Sequence, residues 1–280
     1  MLRWALVGDI LVAALAVVLA AVVATGYRNA SATPLVRRLT LHLPDYPPSA
    51  RPIRIVLVSD LHVHGPETPP ARVERLVTQV NGLHPDVDVI AGDFIGGGSV
   101  GAQYPPAAAI APLGRLQATF GAFAILGNND FPADQVVPAL RQARIRVLSN
   151  EATEVGPIAL GGLDGRFLLA PAVLRAERAK TYAELRRTPG VKVLVSHSPD
   201  EIMAAPPWVR LILAGHTHCG QIVLPIFGPI ETRSRYGRKF YCGIVRQGPR
   251  LLVVTSGIGT SHLPLRIGAP PDIWLITVGR

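Results

Sequence analysis

Lysine is nearly absent from this 280-residue chain: Lys180, Lys192 and Lys239 are the only three, and arginine supplies the rest of the 28 basic residues. Aromatic residues make up only 6%. Beyond the short run at 233–241 no extended stripe interleaves basic with aromatic side chains, which disfavours a nucleic-acid-binding groove despite a formal charge of +9. Arginine dispersed through an Ala/Gly/Pro-rich chain reads as compositional bias. One denser run, Arg233, Arg235, Arg238 and Lys239, could face an anionic substrate. Cysteine is scarce too. Two residues, Cys219 and Cys242, exclude a disulfide-dense scaffold and a thiolate metal site. They are either separate structural thiols or a disulfide pinning an expected hairpin, and the disulfide would imply an oxidising compartment. No internal repeat or second domain boundary appears. At this length, with 49% hydrophobic and 17% charged residues, one sizeable α/β domain plus an appendage is expected.

The appendage is the N-terminus. Residues 10–25 carry no charge, and Trp4 to Val7 extend the run if Asp9 is tolerated. A bilayer-spanning helix wants about 20 apolar residues. One reading is a signal peptide, with Arg3 as the basic end and Ala30-Ser31-Ala32 as the cleavage site. The other is a retained anchor. Arg28, Arg37 and Arg38 on the downstream flank favour a cytoplasmic domain by the positive-inside rule, whereas a signal peptide would place it outside. The expected organisation is a signal or anchor segment over 1–32, a linker with one edge strand over 33–52, and the catalytic domain over 53–280.

Within that domain, a near-continuous β-branched run predicts a buried strand over 53–58, and further apolar runs predict strands over 87–91, 120–126, 191–195 and 209–214, with two more over 251–255 and 273–278. Helices are predicted over 72–80, 132–143 and 172–187, and a mobile glycine-rich loop over 96–101. Strands alternating with helices, followed by strands in succession, suggest two facing sheets with helices outside.

Five short motifs sit where these strands end: Asp60-Leu61-His62, Gly92-Asp93, Gly127-Asn128-Asn129-Asp130, Ser196-His197 and Gly215-His216-Thr217-His218. Ligands of open α/β sheets gather beyond the carboxyl ends of strands, so these turns should converge. Convergence would bring together carboxylate, imidazole and amide oxygen, a donor set suited to Mn²⁺, Fe or Zn²⁺. Two such ions about 3.5–4 Å apart would clamp a phosphoryl group and activate a bridging water for in-line attack.

The ordered set resembles the calcineurin-like metallophosphoesterase superfamily, whose pattern is D-x-H, G-D, G-N-H-D/E, H and G-H-x-H. The GHTHCGQ segment at 215–221 and TSGIGTSHLPLRI at 255–267 resemble its YkuE-like branch, which is membrane-associated or exported. The resemblance implies a four-layer α/β/β/α sandwich of two mixed sheets and two divalent metal ions. Asp60, His62 and His218 would hold one ion, and Asn128, His197 and His216 the other, with Asp93 bridging. The departure is Asn129, where the family has a histidine held by the acidic residue that follows, here Asp130. That histidine is expected to protonate the leaving group, and an amide cannot, although it can donate a hydrogen bond to a phosphoryl oxygen. Three readings follow: a substrate with an acidic leaving group, protonation by His64, or metal and phosphate binding with little turnover.

The function expected is hydrolysis of a phosphodiester or phosphoanhydride in a phosphorylated small molecule or lipid, near a membrane contacted through the N-terminal segment. A nuclease of the same superfamily and a catalytically weakened binding protein are the alternatives. Nucleic acid is disfavoured by the missing basic-aromatic stripe.

Overall fold

The structure is a computed structural model that describes residues 2–98, 100–165 and 170–280, with side chains from residue 7 onward. Met1, the side chains of Arg3 and Trp4, and Ser99 of the glycine-rich stretch lie outside the described residues.

Helix α1, Leu2–Ala30, is followed by edge strand β1, Leu35–His42. The first sheet continues with β2 (Ile53–Val58), β3 (Val87–Ile90), β4 (Ala122–Ala124) and β5 (Ile145–Val147), and closes with β14 (Asp272–Gly279). Its spatial order is β1-β14-β2-β3-β4-β5. Strands β2 to β5 run parallel, while β14 lies antiparallel to β2. The second sheet uses β6 (Glu151–Val155), β7 (Ile158–Leu163), β8 (Val191–Ser196), β9 (Leu211–Ala214), β12 (Gly243–Gln247) and β13 (Arg250–Val254). Its order is β12-β13-β9-β8-β7-β6, with antiparallel pairs at both ends and parallel strands between. A small hairpin, β10 (Val223–Leu224) with β11 (Gly228–Pro229), stands apart from both sheets.

Burial explains the stacking. Ile55, Leu57, Val89 and Ile276 of the first sheet meet Leu160, Val193, Leu213 and Val253 of the second in one apolar core. The outer face of the first sheet packs on α2 (Pro70–Asn81), α3 (Pro106–Ile110) and α4 (Val136–Gln142) through Leu76, Val77, Ile110 and Leu140. The outer face of the second packs on α5 (Pro171–Arg187) through Tyr182 and Leu185. The result is helix, sheet, sheet, helix, with both sheets mixed, as the sequence predicted.

One residue of β3 sits badly with its surroundings. Both carboxylate oxygens of Asp88 are buried with no hydrogen-bond partner among the described residues. Burial pushes this carboxyl up to about 7. The folded state therefore holds a proton that the unfolded chain releases at lower pH, so stability falls as pH rises through about 7. Asp88→Asn should raise the unfolding free energy at pH 8 by roughly 2–4 kcal/mol and change it little near pH 4. Urea unfolding at the two pH values measures the difference; an equal effect at both would show that charge is not the cause.

Candidate metal centre

All five turns meet at one end of the two facing sheets. Asp60 and His62 follow β2, Asp93 follows β3, Asn128 follows β4, His197 directly follows β8, and His216 and His218 follow β9. Backbone bonds lace the turns together: Asp60 N–H donates to Gly92 O at 2.9 Å, His62 N–H to Asp93 O at 3.0 Å, and Gly215 N–H to His197 O at 3.1 Å. Two glycines make the approach close enough. A Cβ on Gly127 would lie 2.1 Å from Asp93 Oδ1, and one on Gly215 would lie 2.3 Å from Asp60 Oδ2. The site also carries backbone strain. Asp60, His62, Asp93, His216 and His218 all have φ between +41° and +69°, where non-glycine residues are uncommon. Such strain persists only where surrounding contacts over-determine it, and it clusters at functional sites.

The side chains form two overlapping trios, Asp60 with His62 and His218, and Asp60 with Asp93 and His197; within each, the ligand atoms lie within 4.8 Å of one another. In the first, His62 Nε2 is 3.2 Å from His218 Nε2, and Asp60 Oδ1 is 3.9 and 3.5 Å from these nitrogens. Asp93 Oδ2 lies 3.4 Å from both His62 Nε2 and His197 Nε2. Asn128 Oδ1 is 3.2 Å from His197 Nε2, and the His216 ring is centred 5.0 Å from that of His197. All seven expected ligands are thus drawn to one place.

This donor set fits divalent cations. Ligands at about 2.1 Å in tetrahedral geometry are spaced about 3.4 Å apart, close to the separations found here. Two ring orientations are already fixed from behind, since carbonyl oxygens can only accept: Nδ1–H of His197 donates to Ala91 O at 2.7 Å and Nδ1–H of His62 to Gly96 O at 3.1 Å. Each turns Nε2 toward the centre, where a bound cation would take the place of a proton on that nitrogen. Burial, with the nearby His197, drives His216 down to about 3, and burial with His62 and Arg266 drives His218 well below its ordinary value. Both rings are therefore neutral and able to ligate. Burial opposes charge on His197, but Asp93 and Asp60 outweigh it and raise that ring to about 10. The carboxylates draw positive charge into the centre.

The remaining expected residues have other partners. Asn129 Nδ2 donates to Asp93 Oδ2 at 2.7 Å, and its backbone N–H to Asp93 Oδ1 at 2.8 Å. Asp130, fully buried, accepts N–H bonds from Asp93, Phe94 and Gly127, each at 2.8 Å, and so ties two motif turns together. His64 is 1% exposed, with Nδ1 2.9 Å from Gly65 O and Nε2 3.4 Å from Glu67 Oε1, which also accepts from Thr260.

Two contributors went unnoticed in the sequence. Asp164 Oδ1 accepts Leu126 N–H at 2.9 Å, steadying the approach to Asn128. Arg266 is completely buried; its guanidinium donates to the carbonyls of Ser256, Gly259 and Ala269, and Nη2 lies 3.4 Å from His218 Nδ1. Its only signal was a lone charge in a small-residue stretch. The two cysteines are joined as the Cys219–Cys242 disulfide, which resolves the pair of readings left open and closes a loop rooted beside His218.

A transmembrane protein with metallophosphoesterase domain from Danio rerio is 31% identical over 279 residues, covering 92% of this chain and 61% of its own length. The chain thus spans less than two thirds of that relative. The uncharacterised metallophosphoesterase YkuE of Bacillus subtilis is 31% identical over 235 residues, covering 80% of this chain and 78% of its own. An uncharacterised metallophosphoesterase of Aquifex aeolicus is 28% identical over 244 residues, with 82% and 87% covered. Residues 53–220 match the calcineurin-like phosphoesterase family model, a span that contains all seven expected ligands. The chain belongs to the calcineurin-like phosphoesterase family.

Proposed function

We propose that this chain is a two-metal phosphohydrolase, held at a membrane by α1, that cleaves a phosphodiester or phosphoanhydride bond in a lipid-linked substrate. The observation that carries the reading is Asp93 Oδ2, equidistant at 3.4 Å from an imidazole of each ligand group, as a carboxylate shared by two cations would be. Bound divalent ions would neutralise phosphoryl oxygens and acidify an attacking water. Mn, Fe and Zn all suit the donors. The protein's own part is to hold seven ligands without rearrangement, through the bonds behind His62 and His197 and the Asp130 tie.

Leaving-group chemistry narrows the substrate. The Asn129 amide is committed to Asp93, and His64 is buried, with Nδ1 against Gly65 O and Nε2 3.4 Å from Glu67 Oε1. With the Asn129 amide spoken for and His64 buried, a bond whose leaving group departs without protonation is favoured, which points to a phosphoanhydride.

Position supports the lipid. Residues 7–25 of α1 are exposed, and the 24-residue stretch Val7–Ala30, long enough to cross a bilayer, contains an 18-residue window of mean hydropathy 2.7. Ala30 is fully buried against the domain and Ala32 O accepts from Arg72 at 2.9 Å, so the candidate cleavage site is part of a packed junction. This favours a retained anchor, and the disulfide favours the oxidising side. A reporter active only outside the cytoplasm, fused at the C-terminus, should be active; a silent reporter would reverse the topology.

The function is tested with metal-depleted full-length protein. Adding back Mn²⁺ or Zn²⁺ should restore turnover of bis-p-nitrophenyl phosphate and of a pyrophosphate-linked lipid, and the anhydride should be the better substrate. Failure with every activated ester under saturating metal would leave only binding.

A further inference from the structure

We propose that the β10–β11 hairpin is a second membrane contact, with Ile226 and Phe227 at its tip entering the interfacial layer of the bilayer that α1 spans. The inference rests on α1 as an anchor and not on the hydrolytic reading.

The tip is apolar and uncovered. Ile226 is 100% exposed, Phe227 73% and Ile230 68%, with Leu224 and Leu263 also exposed. Ile226 sits at φ +68°, a conformation a β-branched residue avoids, and it is held there with its side chain in solvent. An aqueous surface gains nothing from that arrangement.

Its base is tied to the place where α1 leaves the domain. Gly26 is the first buried residue after the exposed run 7–25, and its carbonyl accepts Arg266 N–H at 2.9 Å. A Cβ on Gly26 would touch Leu265 at 3.3 Å and Ile267 at 3.7 Å. Ile267 in turn bonds the hairpin base, with Val223 N–H donating to Ile267 O at 2.8 Å. The boundary of the hydrocarbon layer therefore falls near Gly26. Ile226 is three residues beyond Val223, a reach of about 10 Å.

Charge is arranged to match. Arg238 donates to the Phe227 carbonyl, which places a guanidinium against the tip. Arg235, Arg238 and Lys239 are exposed, whereas Arg233 pairs with Glu231 at 3.9 Å. Apolar side chains inserted beneath a rim of arginine and lysine are the pattern of an interfacial anchor, the cations meeting lipid phosphates. The Cys219–Cys242 bond closes the loop that bears both features, so tip and cations move as one unit. A cavity of about 160 Å³ runs along Ile222 and Ile230 of this loop to His218, so a headgroup at the interface has a route to the metal centre.

The test uses full-length protein in vesicles of phosphatidylcholine and phosphatidylglycerol, with Ile226→Cys or Phe227→Cys carrying an environment-sensitive fluorophore. Arg187→Cys, exposed at the end of α5, is the reference position. The tip label should shift to the blue, and nitroxide-bearing lipid should quench it at least about twofold more than the reference label. A tip label as accessible to aqueous iodide as the reference, on protein that floats with vesicles, overturns the hairpin contact alone. A blue shift without lipid quenching would put a protein partner there and also overturns it. Protein that does not float overturns the anchor and the hairpin together.

Discussion

Asp93→Asn should lower kcat/KM for an activated phosphodiester by about 10³-fold or more, the largest loss expected of any single substitution here. Asp93 lies 3.4 Å from an imidazole of each expected ligand group, and it also accepts two hydrogen bonds from Asn129. An amide in its place keeps the shape but presents half the acceptor capacity and no charge. Two ions would then face each other without the anion between them. The effect should therefore be visible before any turnover: metal content after dialysis should fall, and the metal-induced rise in melting temperature should shrink. Because buried Asp93 accepts both Asn129 bonds and pairs with His197, the metal-free variant should itself melt below metal-free wild type, so the metal-induced shift and not the absolute melting temperature is the readout. Full metal retention with unimpaired turnover would remove Asp93 from the centre.

Asn129→His is the second large effect, and it is a gain. For an alkyl phosphodiester, whose leaving alkoxide needs a proton, the substitution should raise kcat by about 10²–10⁴-fold. For the p-nitrophenyl ester, which leaves as a stable anion, the change should be small. The ratio of the two rates isolates protonation from metal binding, which would alter both. The structure adds a condition. A histidine here surrenders the Nδ2 bond to Asp93 and must clear Gly96, where even a Cβ would stand 3.3 Å from that of Asn129. The ring must turn outward to fit, which is the direction a general acid requires. An unchanged ratio would mean that leaving-group protonation is not what Asn129 withholds, and would open the question of His64 again.

Much of this was legible in the linear chain because ligands and strands reinforce one another. A β-branched run that ends in Asp-Leu-His or Gly-Asp states both where the strand stops and what it presents. The second sheet was harder to see. Strand β7 holds Gly161 and Gly162, which erase the apolar signature of a buried strand; yet a Cβ at Gly161 would approach Leu185 to 3.1 Å, and one at Gly162 would approach the Leu148 carbonyl to 2.5 Å. Close layer packing chose glycine, and propensity reads glycine as a break. Strand β4 was expected over 120–126 and is only Ala122–Ala124, because Leu126 N–H leaves the ladder for Asp164 on the far side of the site. The helix expected over 132–143 begins only at Val136. Arg266 was invisible for another reason: its partners are backbone carbonyls, and nothing local announces a guanidinium folded inward.

The junction between α1 and the domain has a practical consequence. Asn29 Nδ2 donates to Arg266 O at 3.2 Å and Gly26 O takes the Arg266 N–H, while the other end of Arg266 backs His218 of the candidate metal centre. Trimming the chain at residue 33 to obtain a detergent-free sample would leave both main-chain groups of Arg266 without partners. Assays on such a trimmed sample would understate the native protein, and the shortest faithful version keeps the last turn of the helix.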